Sequence, residues 1–206
     1  MLRAHPKTKK VLRNYFHNTD QSFVQTAQRK LLLDYARAHS KNKWFCLIEP
    51  DERIVDFDFS KIDEYDKKGI NGIYLRLLDG YLTPKYKDPY THGSLEHLKR
   101  LWGVEMREIM FFFQKDKVDY DISVPGCRQP NISKGYCVTD GWVKHFSKCI
   151  SVEKYEADCD YYIKSMPILA EKWKKRKGTA IKDNYKSDFG TPLYEWGEAK
   201  KKAVKI

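Results

Sequence analysis

Apolar residues recur at helical spacing in several stretches of this chain. Phe23, Val24, Ala27, Leu31 and Tyr35 fall near one face of a helix over about 20–40, with Asp20 or Ser22 placed to cap its start. Leu95, Leu98, Leu101, Trp102, Ile109 and Phe112 predict a second helix from Ser94 to about Lys115, and Ser94 with His97 forms a loose capping arrangement. Thr139 or Asp140 is placed to cap a third, running through Trp142, Phe146 and Cys149. Tyr155, Cys159, Tyr162 or Ile163, and Met166 mark a fourth, which Pro167 interrupts or kinks. Strand patterning is shorter. Residues 44–48 form an apolar run ending at Pro50, a strand or a buried loop, and residues 54–59 alternate apolar and acidic, the period of a half-buried strand. Residues 60–93 are rich in Gly, Asp, Tyr and Pro and read as loop, with 73–78 as a short strand or a single helical turn. Residues 118–127 read as extended, and 182–192 as a loop-like tail before an apolar patch at Leu193, Tyr194 and Trp196.

Composition excludes a disordered chain. Hydrophobic residues make up 41% of the 206, and 14 Tyr, 10 Phe and 5 Trp supply enough bulk for a core of one or two modest domains. The formal charge of +11 suits nucleic acid, acidic lipid headgroups or an acidic protein and does not choose among them. Two stretches concentrate it: Arg3, Lys7, Lys9, Lys10 and Arg13 at the start, and Lys172, Lys174, Lys175, Arg176 and Lys177 later. The acid-free start has the character of a mitochondrial presequence; a solvated basic arm is the simpler reading. No apolar run approaches the roughly 20 residues that a membrane-spanning helix requires.

The cysteines change the picture most. Cys127 and Cys137 enclose nine residues, and so do Cys149 and Cys159. Ten steps along a helix cover about 15 Å, a spacing that suits two cross-links on one antiparallel pair of helices. Pro130 and Gly135 in the first nine-residue insert shorten or disturb the first helix. The double spacing resembles the twin CX9C signature of the coiled-coil-helix-coiled-coil-helix (CHCH) family, over about residues 125–166. That resemblance implies a hairpin with disulfides Cys127–Cys159 and Cys137–Cys149, and oxidation in the mitochondrial intermembrane space. The expected fold is therefore mainly α: a disulfide-stapled antiparallel helical hairpin at 123–168, a long, partly irregular N-terminal extension at 1–122 and a basic C-terminal tail at 169–206. The expected role is that of a non-catalytic accessory subunit, peripheral on the inner membrane, facing the intermembrane space. Its partners would be protein subunits of a large membrane complex, with acidic lipid headgroups as a further contact. The NADH dehydrogenase (complex I) is the first choice, since the segment 35–45 distantly resembles part of one of its CHCH subunits. The CHCH subunit of cytochrome c oxidase and a mitoribosomal protein, the latter with nucleic acid as partner, are the alternatives.

Other chemistry is sparser. The cysteines lack the close pairs of a zinc site, and no cofactor or metal is expected. Cys46, among apolar neighbours, reads as a buried free thiol. Asp56 and Asp58 would share one side of a strand and are the candidates for a metal-dependent nucleic-acid enzyme, the competing class; Asp119 and Asp121 repeat the spacing. Residues 136–140 resemble a polymerase palm motif without its paired acids. Lys172 to Lys177 with Trp173 offers phosphate contacts and a base-stacking ring, or a solvated helix face. The six histidines, His145 among them, are scattered.

Overall fold

The structure, a computed structural model, describes residues 21–91 and 93–206. The basic N-terminal residues, the Asp20 cap, His5, His17 and His92 lie outside them. The chain is mixed, 31% helical and 30% strand, and is organised on one curled seven-stranded sheet. The expectation of a mainly α chain on a stapled hairpin is corrected by that sheet.

Helix α1 (Gln21–His39) forms where the apolar period predicts it. Strands β1 (Trp44–Cys46) and β2 (Glu52–Val55) follow, then a short helix α2 (Lys61–Lys67) and the twelve-residue strand β3 (Ile70–Tyr81). A single 3-10 turn (Leu95–His97) precedes β4 (Leu101–Trp102) and β5 (Glu105–Gln114). Strands β6 (Val118–Asp119) and β7 (Asn131–Ile132) make a separate small ladder, and β8 (Tyr136–His145) returns to the main sheet. Helices α3 (Val152–Ser165), α4 (Pro167–Arg176) and α5 (Trp196–Lys201) and strand β9 (Val204–Lys205) complete the chain. The main sheet runs β1-β5-β3-β8-β2, with β4 on β3 and β9 on β5. Strand β3 pairs antiparallel with β5 and parallel with β8. Strands from before and after residue 122 share this sheet, in which β8 lies between β3 and β2.

Why the second and third expected helices are strands follows from where their side chains go. Met110 to Phe113 are all buried, the signature of a strand covered on both faces rather than of an amphipathic helix. β8 is rich in Tyr, Val, Thr and Trp, which suit a pleated surface. The stretch read as loop holds the central strand, where Ile73, Leu75, Leu77 and Leu78 are at most 1% exposed. Gly135 opens β8 at φ 119°, and a Cβ there would fall 1.5 Å from Asn71 Nδ2, so only glycine lets the chain enter beside β3.

A helical hairpin exists, but not at the cysteine pairs. It is α3 against α4, broken at Met166–Pro167 and fastened by Tyr162 stacked on Trp173 at 4.4 Å. Pro167 occupies its favoured place in the first turn of α4. All five cysteines are free thiols. Cys137 is the second residue of β8 and Cys149 follows its far end; eight strand steps from Cys137 to His145 span about 26 Å, beyond the ~7 Å Cα separation a disulfide tolerates. Cys127 lies between β6 and β7, its thiol bonded to the Gln129 carbonyl at 2.9 Å, and Cys159 is buried on α3. Cys46 lies exposed on an edge strand, not in the core. Thiol titration in native buffer should therefore label Cys46 and Cys137 first. Cys149 and Cys159 are buried and should react only on unfolding; burial raises the thiol pKa of Cys46 as well, to about 11, so exposure and not acidity sets the order. Reductant should leave Tm unchanged, and mass-mapped Cys127–Cys159 and Cys137–Cys149 bridges would sink this account.

Candidate functional site

Two adjacent strands that run parallel end together. Their register places Asp79 of β3 directly beside His145 of β8. The carboxyl ends of parallel strands are where open sheets collect ligands, because the chain turns away there and leaves a crevice. Arg107 of β5 stands opposite Leu77, two residues before Asp79, and Glu52, which begins β2 directly after Asp51, pairs with His145. Helix α4 contributes Lys172 and Arg176 from the other side, α1 contributes Arg29, and the chain after Gly126 contributes Arg128. All of these polar residues except the fully buried Glu52 line a cavity of about 550 Å³.

At its floor is a continuous ionic network. Asp79 accepts from Arg107 Nη2 and from His145 Nδ1 at 2.6 Å through Oδ1, and from Lys148 Nζ at 2.8 Å through Oδ2. Lys148, from the turn after β8, is 8% exposed and also reaches Asp188 at 2.9 Å. Asp188 in turn holds Arg176 at 2.7 Å and Lys182 at 2.9 Å. Burial alone would raise the Asp79 pKa; Lys148, Arg107 and His145 outweigh it and hold the carboxyl well below the usual carboxylate range. Burial likewise opposes the charge on Lys148, and Asp79, Tyr81 and Asp188 reverse the effect and raise its pKa. The same balance lowers Asp188. Four Arg or Lys side chains thus share two carboxylates, so the network carries surplus positive charge.

Beside it lies a second, balanced cluster. Arg128 Nη2 meets the fully buried Glu52 carboxylate at 2.6 Å, and Arg29 pairs with Glu49 at 2.9 Å. Helix α1 is docked here because Thr26 Oγ1 donates to the Val124 carbonyl at 2.8 Å and accepts from the Cys127 N–H at 2.9 Å.

Two groups face the cavity with capacity to spare. The Asp79 carboxylate accepts a hydrogen bond from His145 Nδ1–H, and Nε2 lies 3.7 Å from Asp51 Oδ2, with both residues lining the cavity. Lys172 forms no ion pair within 4 Å among the described residues, and Asp188 attracts it only at longer range. Partial desolvation at the cleft, then repulsion from Arg176, Lys148 and Arg107, lowers its pKa. A lysine repelled by its neighbours is stabilised by any anion that enters.

The residues expected from sequence to carry chemistry are placed elsewhere. Asp56 is exposed at φ 53° and pairs with Lys200, while Asp58 accepts from Ser60 N–H and Oγ in a local turn. Asp119 pairs with Lys30 and Arg37, and Asp121 caps its own turn through Ser123. Asp140 binds Lys61 at 3.0 Å and the Tyr65 hydroxyl at 2.8 Å. Among the described residues no group of three or more His, Cys, Asp or Glu is disposed to hold a metal ion. The basic stretch does reach the cleft, through Lys172 and Arg176, but Trp173 is buried against Tyr162 and offers no free ring. Sequence reasoning missed Asp79, Arg107, Lys148 and Asp188. His145 and Lys148 sit three apart, and nothing in the sequence joins them to Asp79, 66 residues away from His145. No family model, curated protein or solved structure matches the chain.

Proposed function

We propose that the cleft binds a phosphate-bearing ligand and that His145 exchanges a proton with it. The observation that carries this reading is the surplus of cations on two buried carboxylates, with Lys172, which forms no close ion pair among the described residues, beside them around one cavity. An anion entering between Lys172 and Arg176 relieves their mutual repulsion. Bonds from charged donors contribute about 1.5–3 kcal/mol each. Arg176 keeps its Asp188 contact and so presents a fixed donor fork. His145 is oriented by Asp79 as the base of a dyad is oriented by its carboxylate, and Nε2 is the atom within the cavity that takes or gives the proton.

Calorimetric titration with inorganic phosphate tests the reading. Binding to wild type should be lost by about tenfold or more in Lys172→Ala, the cost of one charged contact. Repeating the titration in buffers of different ionisation enthalpy should report proton uptake on binding, which His145→Asn should remove. Phosphate that gives neither heat nor a thermal shift with wild type, or that binds Lys172→Ala equally well, would leave the network a purely structural device. The accessory-subunit expectation drew its support from the cross-linked hairpin, so the cleft, not the cysteines, carries this proposal. Co-purification from native membranes tests a brace role independently.

A further inference from the structure

The cleft does not end at Arg176. A second groove of about 870 Å³ continues on the far side of the same wall, and Lys172, Arg176 and Phe189 line both. Lys175 and Lys186 line the second groove, are exposed, and form no ion pair within 4 Å among the described residues, although Glu171 attracts Lys175 at longer range. With Lys172 they make three ammonium groups along one path with no ion pair within 4 Å among the described residues, in a groove that Glu171, Asp183 and Asp188 also line. Phe189 stands between the two cavities, 56% exposed, its ring without an aromatic or cationic partner among the described residues. A large apolar ring left in water amid lysines has a use if a flat aromatic ligand covers it.

We propose that the two grooves together hold single-stranded nucleic acid, with Phe189 stacking a base at the threshold and Lys175 and Lys186 bound to the backbone beyond the phosphate in the inner cleft. This deepens the phosphate-binding reading and rests on it. A small phosphate ligand would leave the outer lysines and Phe189 unused. An acidic peptide would satisfy the lysines but has no π-face for the ring, and a duplex hides its base faces within its stack. Stacking plus a cationic path is the combination that single strands require.

Fluorescence anisotropy of the full chain with a labelled single-stranded oligonucleotide tests this. Wild type should bind, with log affinity falling linearly against log salt. Lys175→Ala/Lys186→Ala should weaken binding about tenfold or more and reduce the salt slope by about 1.4, at roughly 0.7 per phosphate contact on a single strand. Phe189→Ala should weaken binding about tenfold without changing the slope, as expected for a stacking contact. Lys175→Ala/Lys186→Ala should leave the affinity for inorganic phosphate unchanged, because neither lysine lines the inner cleft. All the altered side chains are exposed, and unchanged Tm verifies the fold. Oligonucleotide binding that ignores these variants while phosphate still binds overturns the inference and leaves the inner-cleft reading standing. Equal binding of polyglutamate or of a duplex, or no loss in Phe189→Ala, also overturns it. Failure of phosphate itself to bind wild type is the outcome that removes the inner-cleft reading and this inference with it.

Discussion

An Asp79→Ala variant should lose about 3–5 kcal/mol of stability, the usual cost of removing one partner from a buried charge pair. The loss comes from what is left behind more than from what is removed. Lys148 is 8% exposed and would face Arg107 and Arg176 with Asp188 as its remaining counter-charge. Urea denaturation measures the change as a shift in midpoint at constant slope. Pairing it with Lys148→Met should recover part of the loss, since the stranded charge goes too. Asp34→Ala, at an exposed contact with Lys30, provides the contrast and should cost under about 1 kcal/mol. The pH dependence has a definite sign. The folded state lowers the Asp79 pKa, so its stabilising contribution is present above the unfolded value near 3.9 and is lost as pH falls through the folded value. Lys148 is raised in the folded state, so its contribution is complete below about pH 10.4 and is lost above it. Wild type should thus weaken below about pH 4, and the variant should have a flatter acid limb. A loss under about 1 kcal/mol would mean that Asp79 is not ion-paired in solution.

The second large effect is expected at Arg128→Ala, about 3 kcal/mol, because Glu52 is fully buried and has its carboxylate on that guanidinium. The Glu49 backbone N–H at 2.9 Å would be its nearest remaining donor. Arg128 also lies over the Phe111 ring at 5.2 Å, so truncation uncovers part of the core. Glu52→Gln/Arg128→Met should restore most of the stability by removing both charges. This measurement separates two architectures. On a hairpin following Cys127, Arg128 would be a solvated residue whose loss costs under about 0.5 kcal/mol. In the sheet it closes the start of β2. Denaturation midpoints of the single and double variants decide it.

Those two residues also show what could be read from the chain and what could not. Helices α1 and α3, and the break at Pro167, were legible because they depend on neighbours three and four positions away and on one locked φ. The strands were not. Leu95 to Trp102 matches a helical stripe, yet Met110 to Phe113 has no polar face at all, and its partners on β3 lie more than thirty residues earlier. Pairing at that range leaves no local mark beyond composition. Two equal cysteine intervals looked like geometry, but an interval fixes a distance only once the element is known: ten residues are about 15 Å on a helix and about 33 Å on a strand. The site divided in the same way. Lys172 and Arg176 were visible as a charge run. Asp79 and His145 become neighbours solely through the parallel register of β3 and β8.

Lys148 has one further consequence. It neutralises a carboxylate at the end of the central strand and another in the segment leading to the C-terminus, with Nζ within 2.9 Å of each. Positions 79, 148 and 188 therefore form a single genetic unit: a change at one resets what the other two are worth. Energies from single substitutions there will not sum, and any drift in sequence at one of the three is tolerated only with a compensating change at its partners.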